Sequence, residues 1–295
     1  MDRYTQVWGG SRPGCLIFVL DQSGSMSDPF GSFQAGAGRR KCDMVATVLN
    51  GFLNELIVTN TVAQRDGTTE VRPRADVAVI GYEGISVGSI LQGELLGRSF
   101  VSLPELQMNP LDIERRKRRE IDDTGREIEL TVPFPVWVKP RAGGGTPMCQ
   151  ALQLARDLAA EWARSHPHHY PPVIIHVTDG LASDGDPLTV AQEIAAIETE
   201  DGHALLFNVH LTEIRSDPVA YPASKEELPA DRYAHLLFDM SSVIPESSRN
   251  LLQALLGRHL PADSRGLIFH GDAASIRQMF VFASVQAAQP LQVAR

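Results

Sequence analysis

Residues 16–28 read LIFVLDQSGSMSD, and this stretch decides the fold. Five apolar residues lead directly into Asp21, and serines follow at positions 23 and 25. A short continuous apolar run is typical of a strand that is buried on both faces of a parallel sheet. The polar end of the run is open to three interpretations: an ordinary turn, a catalytic serine, or an oxygen cage for a cation.

Strand-like and helix-like segments alternate along the rest of the chain. Other apolar runs predict strands at 76–84, 172–180, 204–213 and 266–271. Helical spacing of apolar residues predicts helices at 42–58, 147–163, 186–200 and 273–286. We therefore expect an α/β fold: a doubly wound, mostly parallel, Rossmann-like sheet with helices on both faces and its site at the carboxyl ends of the strands.

Two regions interrupt this alternation within what we expect to be one domain, 1–295. Residues 92–140 contain the alternating stretch IELTVPFPVWV, preceded by ERRKRREI and a turn at 122–125, which predicts an inserted β-hairpin. The basic run at 115–119 does not indicate nucleic acid, because the insertion holds 8 basic and 9 acidic residues. Residues 214–263 are predicted to form a helical excursion.

Composition narrows the class of protein. The chain has 295 residues, 43% of them hydrophobic, and a net charge of −9, which is unlike a nucleic-acid-binding protein. Its three cysteines form no C-x-x-C pair, which favours a reducing compartment. No apolar leader and no apolar run of membrane-spanning length is evident. We therefore expect a cytoplasmic protein that does not enter a membrane.

Two further segments bear on the serine-rich end of the first strand. They are Gly143-Gly144-Gly145-Thr146-Pro147 and Val177-Thr178-Asp179-Gly180. Each alone is compatible with an ordinary turn, in which Thr146 would cap a helix that begins at Pro147. In the expected fold, however, all three segments meet at one edge of the sheet. They then bring together two carboxylates and three hydroxyls, a donor set that suits Mg²⁺, Mn²⁺ or Ca²⁺.

This combination resembles the metal-ion-dependent adhesion site of von Willebrand factor type A (vWA) domains. The pattern D-x-S-x-S, T and D is matched by Asp21, Ser23, Ser25, Thr146 and Asp179. The resemblance implies that the hydroxyls contact Mg²⁺ directly, that the aspartates act partly through water, and that a partner's Asp or Glu completes the coordination. It also implies similarity to bacterial intracellular vWA proteins that act beside kinases, phosphatases or ATPases. The insertion 92–140 is not part of the family pattern.

Other motifs carry weaker alternatives. Gly84-Ile85-Ser86-Val87-Gly88 matches the G-x-S-x-G of serine hydrolases, but no clear helical pattern follows it. The glycines at positions 31, 36 and 38 complete no nucleotide-binding motif. The histidines of SHPHHY are best explained as loop residues.

The sequence therefore favours a non-enzymatic, Mg²⁺-dependent module that captures an acidic residue of a partner protein. Two alternatives stay open: a scaffold subunit of a bacterial stress or ATPase assembly in which the metal is incidental, and a hydrolase that uses Ser86. The oligomeric state is not predicted.

Overall fold

A computed structural model describes residues 3–30, 39–121, 125–212 and 217–284. Several positions singled out in the sequence lie outside these described residues. They are Gly31, Gly36, Gly38, the hairpin turn at 122–124, residues 214–216 and residues 285–286.

The described chain contains the following strands and helices. The strands are β1 (Gly14–Asp21), β2 (Thr61–Ala63), β3 (Thr69–Val71), β4 (Ala75–Glu83), β5 (Ser86–Ser89), β6 (Val101–Ser102), β7 (Asp112–Ile121), β8 (Glu127–Val136), β9 (Val173–Thr178), β10 (Glu198–Thr199), β11 (Gly202–His203), β12 (Leu205–Leu211), β13 (Val219–Ala220) and β14 (Leu267–Gly271). The helices are α1 (Lys41–Thr59), α2 (Leu103–Met108), α3 (Met148–Ser165), α4 (Pro187–Ala195), α5 (Arg232–Met240), α6 (Glu246–Leu256) and α7 (Ala273–Ser284).

The fold is mixed α/β, built on a central mixed sheet of eight strands. The strand order is β13-β14-β12-β9-β1-β4-β5, and β6 pairs with β4 beside β5. Strands β14, β12, β9, β1 and β4 run parallel, whereas β13, β5 and β6 are antiparallel to their neighbours. The expected α/β class and the parallel strands are confirmed, and the antiparallel strands are additions that the sequence pattern did not predict.

Strand β1 lies in the middle of the sheet and is buried along its whole length. Its alternate side chains enter two separate apolar cores. Leu16, Phe18 and Leu20 pack with residues of α1 and α7, and Ile17 and Val19 pack with residues of α3 and α4. This double burial explains the continuous apolar run, because neither face of the strand meets water.

Three aromatic rings fasten α1 and α7 to one face of β1. Phe18 lies 5.8 Å from Phe52 of α1 and 5.0 Å from Phe280 of α7, centroid to centroid. Phe52 and Phe280 are 5.5 Å apart, and all three pairs meet edge to face, a favoured aromatic geometry. By length and composition, α1 is the one described helix that could cross a membrane. Half of it is buried against the sheet here, as in the core helix of a globular domain.

Within the insertion 92–140, β7 and β8 form a separate two-stranded antiparallel ribbon. Its base is attached to α1, because the buried Asn50 side chain hydrogen-bonds the backbone of Trp137 and Val138. Burial declines away from this base, from Val136 at 3% exposed to Leu130 at 39%. Burial of β8 is therefore confined to the base of the ribbon, and the Arg116 guanidinium covers the Phe134 ring at 3.5 Å.

Candidate functional site

Four loops converge at the carboxyl edge of the parallel strands. The turn that follows β1 touches the glycine loop before α3, where Gly24 N donates to Gly144 O at 3.0 Å. The turn that follows β4 touches the same loop, where Gly84 N donates to Gly145 O at 2.9 Å. The loop after β9 completes the group. Because these contacts join backbone to backbone, the loops hold one another in place.

Asp21 is the buried base of the site. It ends β1 and is 2% exposed. Its Oδ1 accepts a hydrogen bond from the backbone N–H of Ser23 at 2.8 Å, and its Oδ2 accepts one from the Thr178 hydroxyl at 2.9 Å. Burial raises the pKa of Asp21 above its ordinary value, and the hydrogen bonds from Ser23 and Thr178 partly offset that rise.

Ser23, Ser25 and Asp179 form a continuous row of oxygens above Asp21. The two serine Oγ atoms are 3.2 Å apart, and Ser25 Oγ donates to Asp179 Oδ1 at 2.7 Å. Ser23 and the Asp179 side chain are buried and Ser25 is exposed, so the row reaches solvent at Ser25. The structure thus brings together four of the five side chains that the sequence singled out.

Lys41 adds a positive charge to this row. Its Nζ lies 2.8 Å from Asp179 Oδ2 and 3.5 Å from the backbone oxygen of Ser25. The Lys41 and Asp179 side chains are 5% and 0% exposed, so the pair is almost completely shielded from water. In the chain as described, an ammonium is therefore the cation in contact with Asp179.

Thr146 lies on the glycine loop beside the row but is held by its backbone. Thr146 N donates to Ser183 Oγ at 3.1 Å, and Thr146 O accepts from Ser183 N at 2.9 Å. Among the described residues, no hydrogen bond joins the Thr146 hydroxyl to Asp21, Ser23, Ser25 or Asp179. The glycine loop that carries Thr146 therefore lies beside the cluster, but the Thr146 hydroxyl does not join it.

The predicted cap of the following helix is wrong. Helix α3 begins at Met148, and Pro147, rather than Thr146, occupies the N-cap position without a side-chain hydrogen bond. Asp184 from the loop after β9 satisfies the helix start instead, accepting from Cys149 N at 3.0 Å and Gln150 N at 2.9 Å. The negative charge of Asp184 also interacts favourably with the positive, N-terminal end of the helix dipole.

The oxygen row suits a small hard cation. In an octahedral Mg²⁺ shell with bonds of about 2.0–2.1 Å, neighbouring ligand atoms lie about 3 Å apart. The Ser23–Ser25 and Ser25–Asp179 oxygen separations, 3.2 and 2.7 Å, bracket that value. Ser23, Ser25 and Asp179 would hold such an ion, with Asp21 behind them, and the ion would supply attraction for an incoming carboxylate.

Ser86 is not placed as a hydrolase nucleophile would be. Gly84 and Ile85 form the turn of a β-hairpin, in which Glu83 pairs with Ser86. Ser86 then begins β5, which runs antiparallel to β4. A nucleophile elbow requires a strand, a turn and a helix, so the geometry gives no support to this alternative.

Sequence reasoning missed three residues of the site. Lys41 stands in the polar sequence RRKCD and carries no signal that distinguishes it from an exposed helix-start residue. Thr178 reads as the last residue of a strand. Asp184 could have been noticed, because it stands beside Asp186-Pro187 in a stretch rich in residues that cap helices.

Comparisons with known proteins give no family for this chain. No family model matches it, and no curated protein matches it. Among solved structures, it is similar to the PilB minor pilin from Streptococcus sanguinis, with a TM-score of 0.45 and 11% sequence identity. That alignment covers 96% of this chain and 62% of the pilin chain, so the chain spans less than two thirds of the length of that protein.

The expected membership of the vWA family is therefore wrong by these comparisons, because no family model matches the chain. The name metal-ion-dependent adhesion site, which belongs to that family, is withdrawn as well. The metal-binding classification that came with that family is also corrected: the described residues contain no group of three or more His, Cys, Asp or Glu side chains that could hold a metal ion by themselves. The cluster itself contains two carboxylates, Asp21 and Asp179, and Asp179 already pairs with Lys41.

Proposed function

We propose that this chain is a non-enzymatic protein-binding module that captures an acidic residue of a partner in the presence of Mg²⁺. The observation that carries the proposal is the row of oxygens formed by Ser23, Ser25 and Asp179 at the junction of the loops. Mn²⁺ or Ca²⁺ could replace Mg²⁺ with the same hard oxygen ligands. The proposal includes a doubly wound topology, because ligands of such folds usually bind at the carboxyl ends of the parallel strands.

The partner's carboxylate is an essential ligand in this scheme. Two carboxylates, one of them paired with Lys41, give the free chain only a weak hold on a divalent ion. Serine hydroxyls are neutral and add little charge stabilisation. An Asp or Glu from the partner supplies the missing negative charge and completes the oxygen shell. Metal and partner are therefore expected to bind together.

One observation favours a second candidate function, a scaffold subunit in which the metal is incidental. Lys41 neutralises Asp179 without any metal, so the loops are held together in the free chain. A rigid surface of this kind could bind a partner directly. A bacterial stress or ATPase assembly, expected from the sequence, would fit this alternative.

We further propose that the β7–β8 ribbon contributes to partner choice. The ribbon leads through Trp137 and Val138 into the glycine loop, and its outer part, including Leu130, is exposed. Replacing residues 118–130 by Asn-Gly closes a shorter hairpin on the Lys117–Thr131 pair. Partner capture is expected to weaken while Mg²⁺ binding in the presence of a carboxylate is retained. Unchanged capture would remove the ribbon from the proposal.

A cytoplasmic location stays part of the proposal. Cys15, Cys42 and Cys149 are all free and buried in the structure, which suits a reducing compartment.

The test is affinity capture followed by mass spectrometry, in Mg²⁺ and in EDTA. Capture should be lost in EDTA and in Asp179→Asn, which keeps the size of the side chain. The matched control is Asp186→Asn, because Asp186 lies on the same loop and caps α4, a role that Asn fills equally well. Capture that survives both EDTA and Asp179→Asn would favour the scaffold and overturn the metal-dependent function.

A further inference from the structure

We propose that Lys41 shifts the affinities of the site for Mg²⁺ and for a partner carboxylate in opposite directions. The ammonium weakens Mg²⁺ binding to the free chain and strengthens the hold of the metal-loaded site on a carboxylate. The inference rests on the proposed function and specifies how that site is regulated.

Lys41 is fixed beside the oxygen row. It is the first residue of α1, and its backbone N–H donates to Asp28 O at 3.0 Å. Its Nζ contacts Asp179 Oδ2 at 2.8 Å, and the side chain is 5% exposed. Because the helix start is tied down, the ammonium stays near the site even if it shifts when a metal enters.

The formal charges at the site show why this matters. Asp21, Asp179 and Lys41 together carry a net charge of about −1, so a bound Mg²⁺ leaves about +1. Without Lys41 the two carboxylates would simply neutralise the ion. Only with the lysine does the loaded site keep a positive charge that attracts a further carboxylate.

Two other charge pairs near this edge do not alter the balance. Arg40 pairs with Asp43 at 2.8 Å, and Arg141 pairs with Glu83. Both of these pairs are formally neutral and partly exposed, so solvent screens them. Lys41 is instead shielded, so solvent screens its attraction and repulsion much less.

The inference predicts opposite changes in the two affinities when the ammonium is removed. Mg²⁺ binding to the free chain should tighten by at least about tenfold, because a repulsion between like charges in a shielded site is lost. Carboxylate binding to the Mg²⁺-loaded site should weaken by at least about tenfold, because an attraction of the same kind is lost. The reciprocal coupling between the two ligands comes from their own contact and is expected to persist.

The experiment is calorimetric titration of the full chain with Mg²⁺, with and without saturating N-acetyl-aspartate amide as the carboxylate. The variants are Lys41→Met, which keeps the length and apolar stem, and Lys139→Met, which removes an exposed lysine of the same edge. Wild type and Lys139→Met should bind Mg²⁺ weakly alone and at least about tenfold more tightly with the carboxylate. Lys41→Met should bind Mg²⁺ at least about tenfold more tightly alone, and titration of its Mg²⁺-saturated form with the carboxylate should give an affinity at least about tenfold weaker than that of wild type.

Equal Mg²⁺ affinity in wild type and Lys41→Met, or equal carboxylate affinity of their Mg²⁺-saturated forms, would overturn the inference and leave the proposed function standing. Absence of Mg²⁺ binding in every variant, with and without the carboxylate, would instead overturn the proposed function and the inference with it. Thermal unfolding of each variant in EDTA checks that it folds. If Lys41→Met fails to fold, Lys41→Gln provides the same comparison, because its amide can still donate to Asp179.

Discussion

The Lys41 ammonium lies 2.8 Å from Asp179 Oδ2, with the two side chains 5% and 0% exposed. This contact joins the start of α1 to the end of β9 across the candidate site. A buried pair of this kind adds little net stability, but removing one partner leaves the other charge buried and unpaired. The pair therefore holds the loops in one arrangement and makes each residue sensitive to loss of the other.

The first prediction concerns this pair. In EDTA, Asp179→Ala should lower the free energy of unfolding by about 3–5 kcal/mol, because it leaves the Lys41 ammonium without its counterion. The double variant Lys41→Met/Asp179→Ala should recover part of the loss. Urea denaturation of the single and double variants measures the coupling. A loss below about 1 kcal/mol in Asp179→Ala would show that the pair is exposed to water in solution.

The second prediction concerns the glycine loop. Gly144 has φ of +64°, and a Cβ there would lie 2.5 Å from Gly84 Cα and 2.7 Å from Gly84 N. Gly144→Ala should therefore displace the loop and weaken Mg²⁺-dependent carboxylate binding by about tenfold or more, in addition to the backbone cost. Gly67→Ala is the control, since Gly67 has φ of +84° and open space around it. Equal carboxylate affinities in the two variants would separate the loop from binding.

The third prediction concerns pH. His176 is fully buried between the Tyr82 hydroxyl and Asn208 Oδ1, each 2.9 Å from a ring nitrogen, and burial lowers its pKa to about 4. The unfolded chain binds a proton near the ordinary value of about 6.5, so this contribution to stability is present above pH 6.5 and is lost as the pH falls toward 4. At pH 5 the loss from this residue is about 2 kcal/mol.

Urea denaturation at pH 8 and pH 5 tests this contribution. His176→Gln should be less stable than wild type at pH 8 but should lose less stability on going to pH 5, because it has no imidazole to titrate. An equal loss in the two proteins would show that His176 does not carry this dependence.

The fourth prediction concerns the attachment of the ribbon. Asn50 Oδ1 accepts from Trp137 N at 2.9 Å and Val138 N at 3.1 Å, and its Nδ2 donates to Val138 O at 2.8 Å. Asn50→Ala leaves three buried backbone groups unpaired, so the free energy of unfolding should fall by about 3 kcal/mol or more. Asn54→Ala, on the same helix at a half-buried position, should cost less than about 1 kcal/mol. Similar losses in both variants would contradict this role.

The parallel core of the fold could be predicted because its strands are buried on both faces. The run at 16–21 belongs to Gly14–Asp21, and the run at 172–180 contains Val173–Thr178. Short elements such as β6 and β10, with two residues each, carry no periodicity and were missed. The alternating sequence predicted the ribbon but not its exposure, because alternation does not indicate how much of a strand packs against the rest of the protein.

The candidate site could be predicted only in part. Asp21 and Asp179 follow apolar strands, and that position alone places them on one edge. Lys41 reaches the site from a helix start 138 residues before Asp179, and only the tertiary arrangement shows the contact. The family inferred from the same residues was wrong by the comparisons, whereas the site they would form stays a prediction.

The central claim is that Ser23, Ser25 and Asp179 hold a divalent cation when a carboxylate is present. Its most direct test is anomalous diffraction from crystals of the full chain grown with Mn²⁺ and N-acetyl-aspartate amide. The predicted result is a manganese peak among the oxygens of these three residues, with the ligand carboxylate on its open side. Well-ordered density for the four loops with no manganese peak there, and Lys41 still paired with Asp179, would contradict the claim.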